Sequence, residues 1–166
     1  MFIDESGMHF GDYPESHIFY IEKSEEYEKI KEKGVKIVEF VLLKEDKLLL
    51  LEAKTTAPNP QSEETPERFG EYIAEIAEKM RNSLDLYLHQ LARRELTDTL
   101  LDADYHSISI VCVLVIKKHE KEWLAPVQEA LSKELQKHIR INTIWKCQMI
   151  VINEEQAVSL NLVHRT

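Results

Sequence analysis

The stretch VKIVEFVLLKEDKLLLLEAK, positions 35 to 54, constrains this chain more than any other. Two apolar runs flank the charged tetrad KEDK, the pattern of an antiparallel β-hairpin, although the turn lacks the usual Asn-Gly or Asp-Gly. Side chains on a strand alternate between faces, so Glu52 and Lys54 point the same way as Leu48 and Leu50. On the preceding strand Glu39 shares a face with Ile37, Val41 and Leu43. A turn centred on Glu45 and Asp46 sets Lys44 opposite Lys47, Glu39 opposite Glu52, and Lys54 beside Ile37.

That register poses a chemical problem. Directly opposed residues have Cβ atoms about 4.5–5.5 Å apart, and like charges placed there destabilise a sheet unless something neutralises them. Burying an unpaired carboxylate or ammonium costs several kcal/mol. A divalent cation solves the problem: two facing carboxylates can share Mg²⁺ or Mn²⁺, hard cations that prefer oxygen ligands and keep waters for a substrate phosphate. Lys54, next to that cation, can orient a bound water or stabilise charge on a phosphoryl oxygen. Simpler arrangements stay open. Glu52 and Lys54 are solvated if the strand leaves the core at its end, and Glu39 needs no metal if it pairs diagonally with Lys54 or faces solvent.

The rest of the chain fits around this hairpin. Residues 1 to 16 show no clear periodicity and hold Asp4, Glu5, Asp12 and Glu15. HIFYIEK from His17 reads as a strand. In SEEYEKIKEKG, Ser24 is a plausible N-cap and Gly34 a plausible residue just past a helix end. Pro58, Pro60 and Pro66 mark a loop, with Thr65 as N-cap and Pro66 in the first helical position. Phe69, Tyr72, Ile73, Ile76, Met80, Leu84, Tyr87, Leu88 and Leu91 then recur at helical spacing and predict a long amphipathic helix ending near Leu96. SISIVCVLVI, 107 to 116, is apolar and β-branched enough for a central strand covered on both faces. A second helix follows, with Pro126 in its first turn and Trp123, Val127, Leu131, Leu135 and Ile139 as its buried stripe. TIWKCQMIVI reads as another strand, and Asn153 with Gln156 as a capping box for a short last helix. The order predicts one α/β domain over 1–166, a three-layer sandwich with a mixed central sheet flanked by helices.

Composition narrows the function. With 166 residues, 43% of them hydrophobic, the chain suits a single core that buries roughly two thirds of its unfolded surface. A net charge of −9 argues against a protein that coats nucleic acid nonspecifically, though it does not exclude a local basic groove. Cys112 and Cys147 each lie in an apolar run without metal-ligand or disulfide spacing, as expected of buried thiols in a reducing cytoplasm. No apolar stretch is long enough to span a bilayer and the N-terminus has no leader pattern, so a soluble, cytoplasmic protein is expected. The seven histidines show no ligand spacing; His119, beside Lys117 and Lys118, is the one placed to meet a phosphate. Glu25, Glu26, Glu28 and Glu32 read as a solvated face, Thr55 and Thr56 as the start of a loop, and Tyr72 and Tyr87 as core.

An acid on one strand, a hairpin, and Glu-x-Lys ending the next strand together resemble the PD-(D/E)xK nuclease superfamily, which includes many restriction endonucleases, Holliday junction resolvases and repair nucleases. Here the Glu-x-Lys is Glu52, Ala53 and Lys54, and Val38-Glu39 stands where the family has Pro-Asp. The resemblance covers about 17–116, leaving 117–166 as a helix-strand-helix extension. It implies a restriction endonuclease-like core in which Glu39 and Glu52 hold Mg²⁺ or Mn²⁺ and Lys54 assists the attacking water. The implied activity is Mg-dependent hydrolysis of phosphodiester bonds in DNA or RNA. The rival expectation from another class is a nuclease-like fold that no longer cuts and serves as a protein-interaction or regulatory module, as a homodimer or with a partner protein. Neither reading calls for a membrane.

Overall fold

The KEDK hairpin forms with the expected turn. In a computed structural model, which describes residues 1–61 and 66–164, Lys44 pairs with Lys47 and the ladder runs back to Phe40 opposite Leu51. Without an Asn-Gly pair, Glu45 itself takes the left-handed conformation, with φ 55°, that a tight two-residue turn demands of one of its central positions.

Among the described residues, eight strands and five α-helices follow in chain order. The strands are β1 (Ile3–Glu5), β2 (Met8–Phe10), β3 (Ile18–Phe19), β4 (Phe40–Lys44), β5 (Lys47–Lys54), β6 (Ser109–Ile116), β7 (Gln148–Asn153) and β8 (Val163–His164). The helices are α1 (Glu25–Ile30), α2 (Pro66–Arg93), α3 (Asp98–Leu101), α4 (Lys121–Gln136) and α5 (Glu154–Ser159). A mixed sheet runs β3-β4-β5-β6-β7, and a separate antiparallel sheet runs β1-β2-β8. Within the mixed sheet β3, β4 and β5 are antiparallel, while β5, β6 and β7 are parallel. The parallel steps need crossovers, and α2 and α4 supply them.

Each face of the large sheet carries its own core. Leu48 and Leu50 of β5, with Cys112 and Leu114 of β6, pack under α2 and α4 against Ile76, Met80, Tyr87, Val127 and Leu131. The alternate residues Leu49, Leu51, Val111 and Val113 face Ile3, Met8 and Phe10 of the small sheet and Ala157 of α5. Burying one such side chain stabilises the fold by about 1.5–3 kcal/mol, so β5 and β6, apolar on both faces, lie at the centre. The second face is therefore covered mainly by the small sheet, with α5 beside it, where the sequence predicts helices.

Other expectations hold or shift for local reasons. Ser24 caps α1, accepting from the Tyr27 N–H, and Gly34 takes φ 76° after a short 3₁₀ turn. Asn153 and Gln156 form the predicted capping box. Pro66 opens α2, while the expected Thr65 cap lies outside the described residues. The strand predicted from His17 is reduced to Ile18–Phe19, because 3₁₀ turns occupy Glu15–His17 and Ile21–Lys23. Pro126 lies inside α4 and not in its first turn, since the helix already begins at Lys121. Ile139 is not buried: α4 ends at Gln136, and Ile139 is 74% exposed. Of the predicted strand TIWKCQMIVI, Thr143 and Ile144 instead end a π-helical turn at Arg140–Ile144, the next three residues are irregular, and β7 starts only at Gln148.

Candidate functional site

Glu52 lies near the C-terminal end of β5 on the face that Leu48 and Leu50 present to α2. Its side chain has no solvent exposure. Taking a carboxylate out of water costs several kcal/mol even after the protein relaxes, and two ammonium groups meet that cost. Lys79 of α2 donates to Oε1 at 2.6 Å, and Lys54 Nζ lies 3.3 Å from the same oxygen. The other oxygen, Oε2, is buried with no hydrogen-bond partner. Burial holds the Glu52 carboxyl above the usual carboxylate range despite both lysines.

A helix turn extends the array. Glu75 and Lys79 are four residues apart on α2 and so share a face. Glu75 reaches Lys54 Nζ with Oε1 at 3.5 Å and accepts from Lys36 with Oε2 at 3.0 Å. The hydrogen bond from Lys36 pulls the Glu75 carboxyl below its ordinary value. Burial disfavours charge on Lys54, but the Glu52 and Glu75 carboxylates outweigh it and keep that ammonium above its usual value. Charges thus alternate along Lys36, Glu75, Lys54, Glu52 and Lys79. Tyr72, on the same helix, buries its hydroxyl without a partner, and burial raises its pKa.

Glu39 stands one residue outside the β4–β5 ladder. Its N–H donates to Leu51 O at 3.1 Å, so the direct Glu39–Glu52 opposition expected from a continued register is displaced by a residue. The cause is α2: Ser83 Oγ accepts from the Val38 N–H at 2.8 Å, and Asn82 donates to Lys36 O at 2.9 Å. Lys36 and Val38 therefore bond to the helix and not to β5. The carboxylates of Glu39 and Glu52 still repel: burial first, then Glu52 and Glu5, push the Glu39 carboxyl up to about 7.

Glu5 is the acid that sequence reasoning missed. It ends β1, and the turn after it is pinned to the end of β5: Ser6 Oγ donates to Ala53 O at 3.0 Å, and Thr55 Oγ1 donates to Ser6 O at 3.4 Å. Lys117, just past β6, donates to Gly7 O. This hairpin carries Glu5 to Glu39, close enough for the two carboxyl groups to shift each other's ionisation. Burial and Glu22 raise the Glu5 carboxyl more than Glu39 lowers it. No local pattern in residues 1 to 16 marks Glu5, because its position comes from the pairing of β1 with β2 and of β2 with β8. Lys79 and Glu75 do leave a trace, a Glu and a Lys one helical turn apart on the polar border of the α2 stripe.

The site opens to solvent. Glu22, Lys36, Glu39 and Lys79 line a cleft of about 390 Å³, so Glu39 and Lys79 are reachable from outside while Glu52 sits behind them. A more apolar cleft of about 360 Å³ lies on the other face of the sheet, over Leu49, Val111, Val113 and Ile150, and contains none of these acids. His119 is 9% exposed, with Nε2 unpartnered and its ring edge-on to Trp123 at 5.6 Å. Among the described residues no three His, Cys, Asp or Glu side chains converge on one cation position, and no helix is long and apolar enough to cross a membrane. No family model matches the chain, and no curated protein and no solved structure is detectably similar to it.

The donor set suits a hard cation. Glu39 and Glu52 offer carboxylate oxygens, the ligands Mg²⁺ and Mn²⁺ prefer, and one of these oxygens, Glu52 Oε2, is buried without any hydrogen-bond donor. A buried acceptor left bare costs about 1–3 kcal/mol or more, which a cation would recover.

Proposed function

We propose that this protein is a metal-dependent nuclease with a restriction endonuclease-like core, hydrolysing phosphodiester bonds in DNA or RNA. Glu39 and Glu52 hold Mg²⁺ or Mn²⁺, and Lys54 assists the attacking water. The observation that carries this reading is the Glu52 carboxylate, fully buried yet with one oxygen unpartnered, next to Glu39 and to Lys54. The placement of Glu-x-Lys at the end of β5, with an antiparallel neighbour on one side, a parallel one on the other and a long helix following, supports the same reading. When bound, the cation supplies Lewis acidity at the phosphoryl oxygen and acidifies water.

The chain's own groups do the rest. Glu75 and Glu52 together hold Lys54, which fixes the ammonium where it can donate a hydrogen bond to the attacking water. The cleft beside Glu39 admits a phosphodiester to within reach of Lys79 and Lys36. Cleavage of a mixed set of single- and double-stranded DNA and RNA, with Mg²⁺ or Mn²⁺, tests the assignment. Activity is expected for the wild type and a loss of at least 100-fold for Lys54→Ala, since a positioned proton-transfer group contributes about 10²–10⁴-fold. An unchanged rate in that variant would refute the role of Lys54.

One observation favours a second reading, a silent nuclease-like fold acting as an interaction module. Lys79 already neutralises Glu52 from within the protein. In that case the unfolding midpoint is indifferent to Mg²⁺ and Mn²⁺, and the cleft beside Glu39 receives a partner protein or a second copy in the cytoplasm.

A further inference from the structure

The chain has two cysteines, and the fold brings both to one place. Cys112 lies in mid-β6, opposite Met149 in the parallel ladder, and is 1% exposed. Cys147 precedes Met149 by two positions on the approach to β7. Side chains two apart on an extended chain share a face, and Cys147 packs against the same core, under α4, that contains Cys112. Both thiols are free, and the two sulfurs lie close enough for each to shift the other's ionisation.

The two are not equivalent. Cys112 is sealed in an apolar strand, and its neighbour Cys147, together with burial, pushes its thiol up. Cys147 is half-buried and borders a cavity of about 120 Å³ that Ser132, Gln136 and Asn142 also line. Its neighbour Cys112 favours its thiolate, the form of cysteine that reacts. Cys147 also lies outside the β6–β7 ladder, its N–H bonded to Ile141 O at 3.0 Å after the π-helical turn. It can therefore shift toward Cys112 without breaking a strand hydrogen bond.

We infer that Cys147 is an oxidant-reactive thiol and Cys112 its resolving partner, the pair closing a reversible intramolecular disulfide in response to a hydroperoxide. In the first step the Cys147 thiolate attacks the peroxide: an S–O bond forms, the O–O bond breaks, and the released alkoxide or hydroxide takes up a proton. Cys147 is then a sulfenic acid. In the second step the Cys112 sulfur attacks the Cys147 sulfur, an S–S bond replaces the S–O bond, and hydroxide leaves with the Cys112 proton as water. The two thiols give up two electrons and the peroxide is reduced to alcohol or water. A small oxidant fits the polar cavity at Cys147, and the chemistry does not depend on the acid and lysine array.

The test uses the full chain under native conditions with hydrogen peroxide, followed by intact mass and thiol counting in the presence of dimedone, which traps sulfenic acids. Wild type is expected to lose two hydrogen atoms and both free thiols with no dimedone adduct, and dithiothreitol should restore them. Cys112→Ser is expected to accumulate one adduct, at Cys147, and Cys147→Ser none. Cys112→Ala serves in place of Cys112→Ser if the hydroxyl is not tolerated in the core. Retention of both thiols in the wild type, oxidation only to dimers between chains, or a Cys112 variant without an adduct would each overturn the assignment.

Discussion

Lys79 Nζ lies 2.6 Å from Oε1 of Glu52, joining α2 to the end of β5 through a carboxylate with no exposure and an ammonium that is 14% exposed. Breaking a buried pair by removing one partner costs about 3–5 kcal/mol, because the remaining charge has no compensation, whereas replacing both by apolar groups is close to neutral. Here Lys54 remains near Glu52, so Lys79→Met is expected at the lower end, about 3 kcal/mol in urea unfolding. Lys79→Met with Glu52→Leu should regain most of that loss. A coupling energy near zero in the double-mutant cycle would mean the two residues do not act as a pair.

If a cation binds between Glu39 and Glu52, it binds only the folded chain and raises stability by the logarithm of its concentration over its dissociation constant. Thermal unfolding in EDTA and then in millimolar Mg²⁺ or Mn²⁺ is expected to show an upward shift of several degrees in the wild type. The corresponding loss of about 1 kcal/mol or more of linked stability in Glu52→Gln should abolish the shift. Equal shifts in both proteins would place the metal elsewhere.

Much of this was legible in the hairpin. The turn at Glu45 and Asp46, the pairing of Lys44 with Lys47, and the placement of Glu52 and Lys54 on the core face under α2 all follow from alternation and a two-residue turn. Alternation could not reveal where β4 begins, because Val38 and Lys36 exchange strand partners for Ser83 and Asn82 of α2, a tertiary choice that shifts Glu39 out of register. Glu5 was invisible for the same reason: three-residue strands carry no period, and what brings it to Glu39 is the contact of Ser6 with Ala53. Pro126 misled because a proline at the first helical position is common, while α4 starts earlier and accommodates it inside.

Glu45 offers a test of the turn itself. Its φ of 55° is a conformation that costs a side-chain-bearing residue about 1–2 kcal/mol and glycine far less. The greater freedom of glycine in the unfolded chain takes back part of that gain. Glu45→Gly is therefore expected to stabilise the protein slightly, by about 0.5 kcal/mol, and Glu45→Val to destabilise it by more than that. Urea midpoints of the two variants decide the matter, and a Val variant as stable as wild type would contradict the left-handed assignment.

Glu39 makes stability depend on pH with a definite sign. Burial, Glu52 and Glu5 push its carboxyl up to about 7 from an ordinary 4.5, so between those values the folded protein holds a proton that the unfolded chain has lost. Stability then falls as pH rises. The contribution is complete below about 4.5 and gone above about 7, and Glu5 and Glu52, also raised, act in the same direction. Because Glu39 is only partly buried, solvent screening shrinks the effect below what the shift alone implies. Urea unfolding at pH 5 and pH 7.5 is expected to show the wild type weaker at the higher pH, with a smaller difference in Glu39→Gln. A cation prefers the ionised carboxylates, so saturating Mg²⁺ should stabilise the wild type more at pH 7.5 than at pH 5. Identical pH slopes in the wild type and Glu39→Gln would show that Glu39 ionises freely and that no acid pair exists at the head of β4.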